Sequence, residues 1–81
     1  MDKVLEENFE EFSGRLKYLM DKHDMSYIVL ASNLGVNATN IYRYLNGTRK
    51  PSVDKVLELA NYFEVDAAWL IGQKEQYPRP E

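Results

Sequence analysis

At 81 residues, 44% of them hydrophobic, the chain is long enough for one domain with a modest core that needs neither a metal nor a disulfide to hold it. The absence of cysteine excludes a disulfide framework and thiolate metal sites and fits a reducing compartment. A net charge of −3 speaks at first sight against a nucleic-acid partner, no apolar run approaches a membrane span, and the N-terminus opens with acids rather than as a signal peptide, so the cytoplasm is the expected location.

The charge is unevenly placed. Residues 1–12 hold five acids against one lysine, residues 13–55 hold seven Lys or Arg against three acids, and residues 56–81 hold five acids against two bases. Between Asn37 and Lys50 stand Arg43, Arg49 and Lys50 with no acid at all. Exposed charges separated by more than a Debye length of about 8–10 Å are largely screened, so a local basic face can act on an acidic protein, with weak non-specific affinity for a duplex.

In chain order, Val4 to Lys22 carries Leu5, Phe9, Phe12, Leu16 and Leu19 at alternating steps of four and three, the seam of a helix. Gly14 interrupts it, which leaves two readings: one long helix broken near Ser13-Gly14, or a short helix followed by a second one capped by Ser13. Glu6, Glu7, Glu10 and Glu11 crowd the opening turns, where a helix dipole favours carboxylates. With no histidine, glycine loop or second acid cluster converging on them, they read as a solvated face rather than an acid–base or metal site. His23, the sole histidine, falls in the polar turn His23-Asp24 and has no partners for a triad or metal site.

Ser26 to Gly47, SYIVLASNLGVNATNIYRYLNG, predicts two short helices around a tight turn. Ser26 suits the cap of the first, with Val29, Leu30, Ala31 and Leu34 on its apolar side; Met25 and Leu30 stand at hydrophobic-staple spacing, and Gly35 stops the helix. Asn37 suits the cap of the second, with Val36 and Ile41 repeating the staple, and Asn46-Gly47 closes it. Two helices joined by a short glycine turn form a helix-turn-helix, whose second helix enters the major groove of DNA; the small Ala31 lets the pair approach closely.

At about 100° per residue, Ile41 marks the inner side of that second helix with Tyr44 and Leu45 near it. Thr39, Arg43 and Asn46 then face outward, Ala38 and Tyr42 lie on the flank nearer the helix pair, and Asn40 lies on the other. Arginine can grip guanine O6 and N7, threonine can meet a thymine methyl and asparagine can span an adenine edge. Three polar residues alone would describe any solvated helix face; the surrounding pattern of caps, turn and basic loop makes the difference.

Thr48-Arg49-Lys50-Pro51 reads as a loop, and Ser52 as the cap of a helix with Val53, Val56, Leu57, Ala60 and Phe63 on one face. Glu64-Val65 is a turn, Asp66 caps a last short helix that Gly72 ends, and Val65 and Leu70 form a third staple pair. Gln73 to Glu81, with Pro78 and Pro80, is expected to be a frayed tail or the start of a linker.

Four stretches in register, RLKYL at Arg15–Leu19, LASNLGV at Leu30–Val36, IYRYLNGTRKPS at Ile41–Ser52 and VDAAWLIG at Val65–Gly72, resemble the XRE/Cro-repressor type of helix-turn-helix domain found in phage repressors and bacterial regulators. The resemblance covers about Phe12 to Gly72. It implies an all-α five-helix bundle over 12–72 with the motif at 26–47, preceded by an acidic helical extension at 1–11 and followed by the tail at 73–81. It further implies a homodimer that sets two recognition helices in successive major grooves of a pseudo-palindromic operator.

Carried over by position, the resemblance places Ala38, Thr39 and Arg43 at base-reading positions, with Tyr42 either reading bases or packing along a sugar. It places Asn37, Asn46, Thr48, Arg49 and Lys50 at the phosphates, together with Ser26 and Tyr27 at the N-terminus of the motif's first helix. Trp69, Leu70 and Ile71 are implied as candidates for a dimer contact, with core packing the preferred reading for Trp69. Three departures stand out: Tyr27 replaces a phosphate-bonding glutamine common among relatives, and Asp24 and Glu64 occupy turns where glycine is common. The expected function is that of a transcriptional repressor binding double-stranded DNA, without cofactor or metal. The alternative is an antitoxin or anti-repressor module that holds a protein partner through its acidic N-terminal segment. An enzyme is disfavoured, since the chain offers no histidine–acid pair, no phosphate-cradling loop and little room for a pocket.

Overall fold

Among the described residues, four helices begin on a side chain that satisfies an otherwise orphaned backbone N–H, and each of these caps is predicted from the sequence. Ser26 Oγ accepts from Val29 N–H at 3.1 Å, Asn37 Oδ1 from Thr39 N–H at 2.8 Å, Ser52 Oγ from Lys55 N–H at 3.2 Å, and Asp66 Oδ1 from Ala68 N–H at 2.8 Å. The computed structural model describes residues 9–73, and its elements are α1 (Phe9–Lys22), α2 (Tyr27–Leu34), α3 (Ala38–Asn46), α4 (Val53–Phe63) and α5 (Ala67–Leu70). Every regular element among the described residues is helical. The first eight residues, which carry most of the expected acidic extension, and the tail from residue 74 onward lie outside the described residues.

The five helices of the described residues end alike. Asp24, Gly35, Gly47, Glu64 and Gly72 take positive φ, and the next residue donates back to the carbonyl five positions earlier: Met25 to Met20, Val36 to Ala31, Thr48 to Arg43, Val65 to Ala60 and Gln73 to Ala68, at 2.8–3.0 Å. These are Schellman closures, which satisfy terminal carbonyls through one left-handed residue. Glycine fills that residue three times; Asp24 (φ 54°) and Glu64 (φ 59°) fill it with a Cβ that makes the conformation costly, Asp being the better tolerated of the two.

The core draws on every helix: Phe12, Leu16, Leu19 and Met20 of α1, Leu30 and Ala31 of α2, Ile41 and Tyr44 of α3, Val56, Leu59, Ala60 and Phe63 of α4, then Val65, Trp69 and Leu70. Fully burying one such large side chain contributes about 1.5–3 kcal/mol, so α1, with three that are wholly enclosed, is a principal anchor. Helix α1 runs unbroken through Ser13-Gly14, contrary to both sequence readings of that point. Ser13 caps nothing; it is buried beside Phe12 and donates its hydroxyl to the Tyr44 carbonyl, binding α1 to α3.

Two apolar faces are rotated from their expected setting. In α2 the inner side is Tyr27, Leu30, Ala31 and Leu34, while Val29 is exposed along with Ile28. In α4 it is Val56, Leu59, Ala60 and Phe63, while Val53 and Leu57 face outward. Both inner sets obey the three–four spacing of a helix stripe; in each case a neighbouring aliphatic residue had offered a competing phase. The small Ala31, 2% exposed, lies in the core between α2 and its neighbours, as its size suggests. Across the bundle, Arg15 donates to the Trp69 carbonyl at 2.6 Å and stands 5.0 Å over the Trp69 ring, tying α5 to α1 through both a charge-assisted hydrogen bond and a cation–π contact.

Candidate nucleic-acid interface

Helix α3 has the amphipathic division that its sequence dictates. Ile41 and Tyr44 are buried, Ala38, Asn40 and Leu45 are half-buried, and Thr39, Tyr42, Arg43 and Asn46 are exposed. The buried edge is held from behind by Ser13 on the Tyr44 carbonyl and by the Phe12 ring, which meets the Tyr44 ring edge-on at 5.8 Å. The outward stripe of Thr39, Arg43 and Asn46 therefore stands on a helix fixed from behind, with no carboxylate within α3. Among the described residues the guanidinium of Arg43 has no hydrogen-bond or ion-pair partner, and neither has that of Arg49.

The loop after α3 is built onto the helix end. Gly47 turns at φ 79°, Thr48 N–H donates to the Arg43 carbonyl at 3.0 Å, and Asn46 Oδ1 accepts from both Thr48 N–H at 3.2 Å and Thr48 Oγ at 2.7 Å. The acceptor half of the Asn46 amide is thus occupied within the loop, leaving Nδ2 as its outward-acting group. A donor alone suits a phosphate oxygen, whereas spanning an adenine edge needs donor and acceptor together. Arg49 and Lys50 follow, both exposed, and Pro51 is buried where the chain turns into α4. Three further cations of the central segment are engaged away from this surface: Lys17 pairs with Asp21 at 3.8 Å, Lys55 with Glu58 at 3.0 Å, and Arg15 approaches Glu11 at 4.0 Å while bound to Trp69.

The N-terminus of α2 joins this surface at one edge. Ser26 and Asn37 each spend a side-chain oxygen on their own helix cap. The Tyr27 ring lies against the Tyr42 ring, centroids 5.4 Å apart and planes inclined at 50°, a contact that no spacing rule relates to the sequence. Ala38, Thr39, Tyr42, Arg43, Asn46, Thr48, Arg49 and Lys50 are carried on α3 and its following loop, with Tyr27 bordering them.

The three residues considered for a dimer contact divide. Trp69 is 5% exposed, enclosed by Arg15 and by the Tyr18 ring at 6.3 Å; Leu70 is wholly buried; Ile71 alone retains open surface. His23, an exposed turn residue, rests its ring 5.4 Å from that of Phe63. Sequence reasoning missed the Ser13–Tyr44 bond, the Arg15–Trp69 clasp and the chain of contacts from Asn33 Nδ2 to Tyr62 OH (2.8 Å) and on to Met25 Sδ (3.8 Å), which bridges α2 to α4. For Ser13 a signal existed, since it sits between Phe12 and Leu16 on the buried side of α1. No helix among the described residues is long and apolar enough to cross a membrane.

A helix-turn-helix family model matches residues 16–70 of the chain. Among curated proteins the chain is similar to the cryptic phage CTXphi transcriptional repressor RstR of Vibrio cholerae, at 28% identity over 64 residues that make up 79% of this chain and 58% of that protein. The chain therefore spans little more than half the length of that relative. No solved structure matches it.

Proposed function

This chain belongs to the helix-turn-helix family, its domain of the XRE and phage-repressor type, and on that premise we propose that it is a sequence-specific regulator of transcription that represses by occupying an operator as a homodimer. The observation that carries the proposal is the outward stripe of α3: Thr39, Arg43 and Asn46, exposed, free of acids, and backed by a helix pinned to the core. In this reading Arg43 and Thr39 meet base edges with Ala38 and Tyr42 beside them. Asn46 Nδ2, Thr48, Arg49 and Lys50 meet one run of phosphates. The capped start of α2, at Ser26 and Tyr27, and the cap of α3 at Asn37 offer backbone N–H groups and the positive ends of two helix dipoles to further phosphates.

The functional domain is residues 12–72, with 26–47 as the reading motif. Dimerisation draws on surface near Ile71, because Trp69 and Leu70 are committed to the core. Selection of bound duplexes from a random pool tests the whole reading: enrichment of two inverted half-sites about ten base pairs apart is the expected result. Recovery of no sequence at low salt would remove DNA as the ligand, and recovery of single half-sites would remove the dimer.

A further inference from the structure

The exposed side of α3 is two parallel stripes of different chemistry. One is polar: Thr39, Arg43, Asn46. The other is apolar: Ala38, half-buried at the margin of the core, and, one turn on, Tyr42, whose ring is half exposed and braced by the ring of Tyr27 from the first turn of α2. Tyr27 is itself half-buried and packed on the core, so the brace is fixed rather than floating. An aromatic side chain has few rotatable bonds, and one held in place before contact loses little conformational freedom when a partner arrives.

Resting on the reading of α3 as a recognition helix, the geometry points to a specificity element: Tyr42 and Ala38 together read the C5-methyl group of a thymine, and Tyr27 is a positioning residue that sets the Tyr42 ring. In the major groove the one apolar feature that distinguishes a base pair is that methyl, and a rigid apolar surface beside a guanine-gripping arginine is the complement to it. The role of Tyr27 is thereby changed from that expected by analogy with a phosphate-bonding glutamine. Its ring does the work through Tyr42, and its hydroxyl is dispensable.

The test uses the duplex recovered by selection, with each thymine replaced in turn by deoxyuridine, which removes only the methyl. Loss of one methylene-sized apolar contact corresponds to about three- to fivefold weaker binding. The expected result is such a loss at one thymine per half-site for the unmodified protein and for Tyr27→Phe, its disappearance in Tyr42→Ala, and its reduction in Tyr27→Ala. Circular dichroism and thermal melting of the free variants establish that each is folded, and the Tyr42 ring resonances in Tyr27→Ala report directly whether the brace is lost. If deoxyuridine is tolerated everywhere, methyl reading is overturned while operator binding stands. If Tyr27→Phe weakens every sequence alike while the deoxyuridine penalty is unchanged, the hydroxyl is a sequence-independent phosphate ligand and its dispensability is overturned. Failure of the unmodified protein to select any duplex would overturn the recognition-helix reading itself, and this inference with it.

Discussion

The hydroxyl of Ser13 donates to the carbonyl oxygen of Tyr44, across 31 positions of sequence, and this buried bond joins α1 to the back of α3. Among the described residues the other hydrogen bond to this carbonyl, from Gly47 N–H in the closing turn, is long at 3.4 Å, so Ser13 supplies its principal partner. A buried acceptor deprived of its donor keeps its desolvation cost and loses its compensation.

Ser13→Ala is therefore expected to destabilise the domain by about 1–2 kcal/mol, seen as a lower urea midpoint with an unchanged slope. Because the bond sets the seat of α3, affinity for a selected operator should fall by more than the stability loss alone produces when measured well below the melting temperature. A variant with unaltered midpoint would show that the bond is worth nothing in water.

Glu64→Gly is expected to stabilise. Residue 64 closes α4 at φ 59°, where a Cβ costs roughly 1–2 kcal/mol and glycine costs only the extra freedom of the unfolded chain. A net gain of about 0.5–1 kcal/mol should raise the thermal midpoint by a few degrees. Asp24→Gly should gain less, since aspartate adopts this conformation more readily.

Gly14→Ala is also expected to stabilise, for the opposite reason. The glycine lies in mid-helix with ordinary backbone, and a Cβ built there meets no atom within 4 Å. Alanine in its place should add about 0.5–1 kcal/mol, additive with Glu64→Gly if the two sites do not interact.

Arg43→Ala and Lys50→Ala should separate the two kinds of contact. Removing Arg43 is expected to cost about 1–3 kcal/mol of binding and to relax preference at one base pair, whereas removing Lys50 should weaken all sequences evenly and flatten the salt slope by about one unit. Titrations of cognate and singly substituted duplexes at three salt concentrations distinguish them. Identical behaviour of the two variants on every duplex would exclude base readout by Arg43.

The parts of this fold that were legible in sequence are those whose cause is local. Ser26, Asn37, Ser52 and Asp66 cap donors two or three residues away, and Gly35, Gly47 and Gly72 close helices within one turn, so each is written in a few consecutive letters. The direction of an apolar stripe is less so. Five of the eight residues of α2 are Tyr, Ile, Val, Leu or Leu, and local spacing could not decide between Tyr27 and Val29 for the inner side; the same ambiguity exchanged Leu57 for Leu59 in α4. Contacts between distant segments left no trace in spacing at all. Arg15 to Trp69 and Tyr27 to Tyr42 exist only because the bundle brings those helices together. At the candidate interface the exposed stripe followed from helix phase, while the commitment of Asn46 Oδ1 to Thr48 needed coordinates.

That last pair has a mechanical corollary. Since Asn46 holds Thr48 by two hydrogen bonds, the backbone that leads into the cationic segment is tied to the end of α3, and the number of residues from Arg43 to Arg49 acts as a ruler along it. One residue inserted after Gly47 would keep every charge and every helix while breaking the ruler, so attraction to a polyanion would survive and alignment upon it would not.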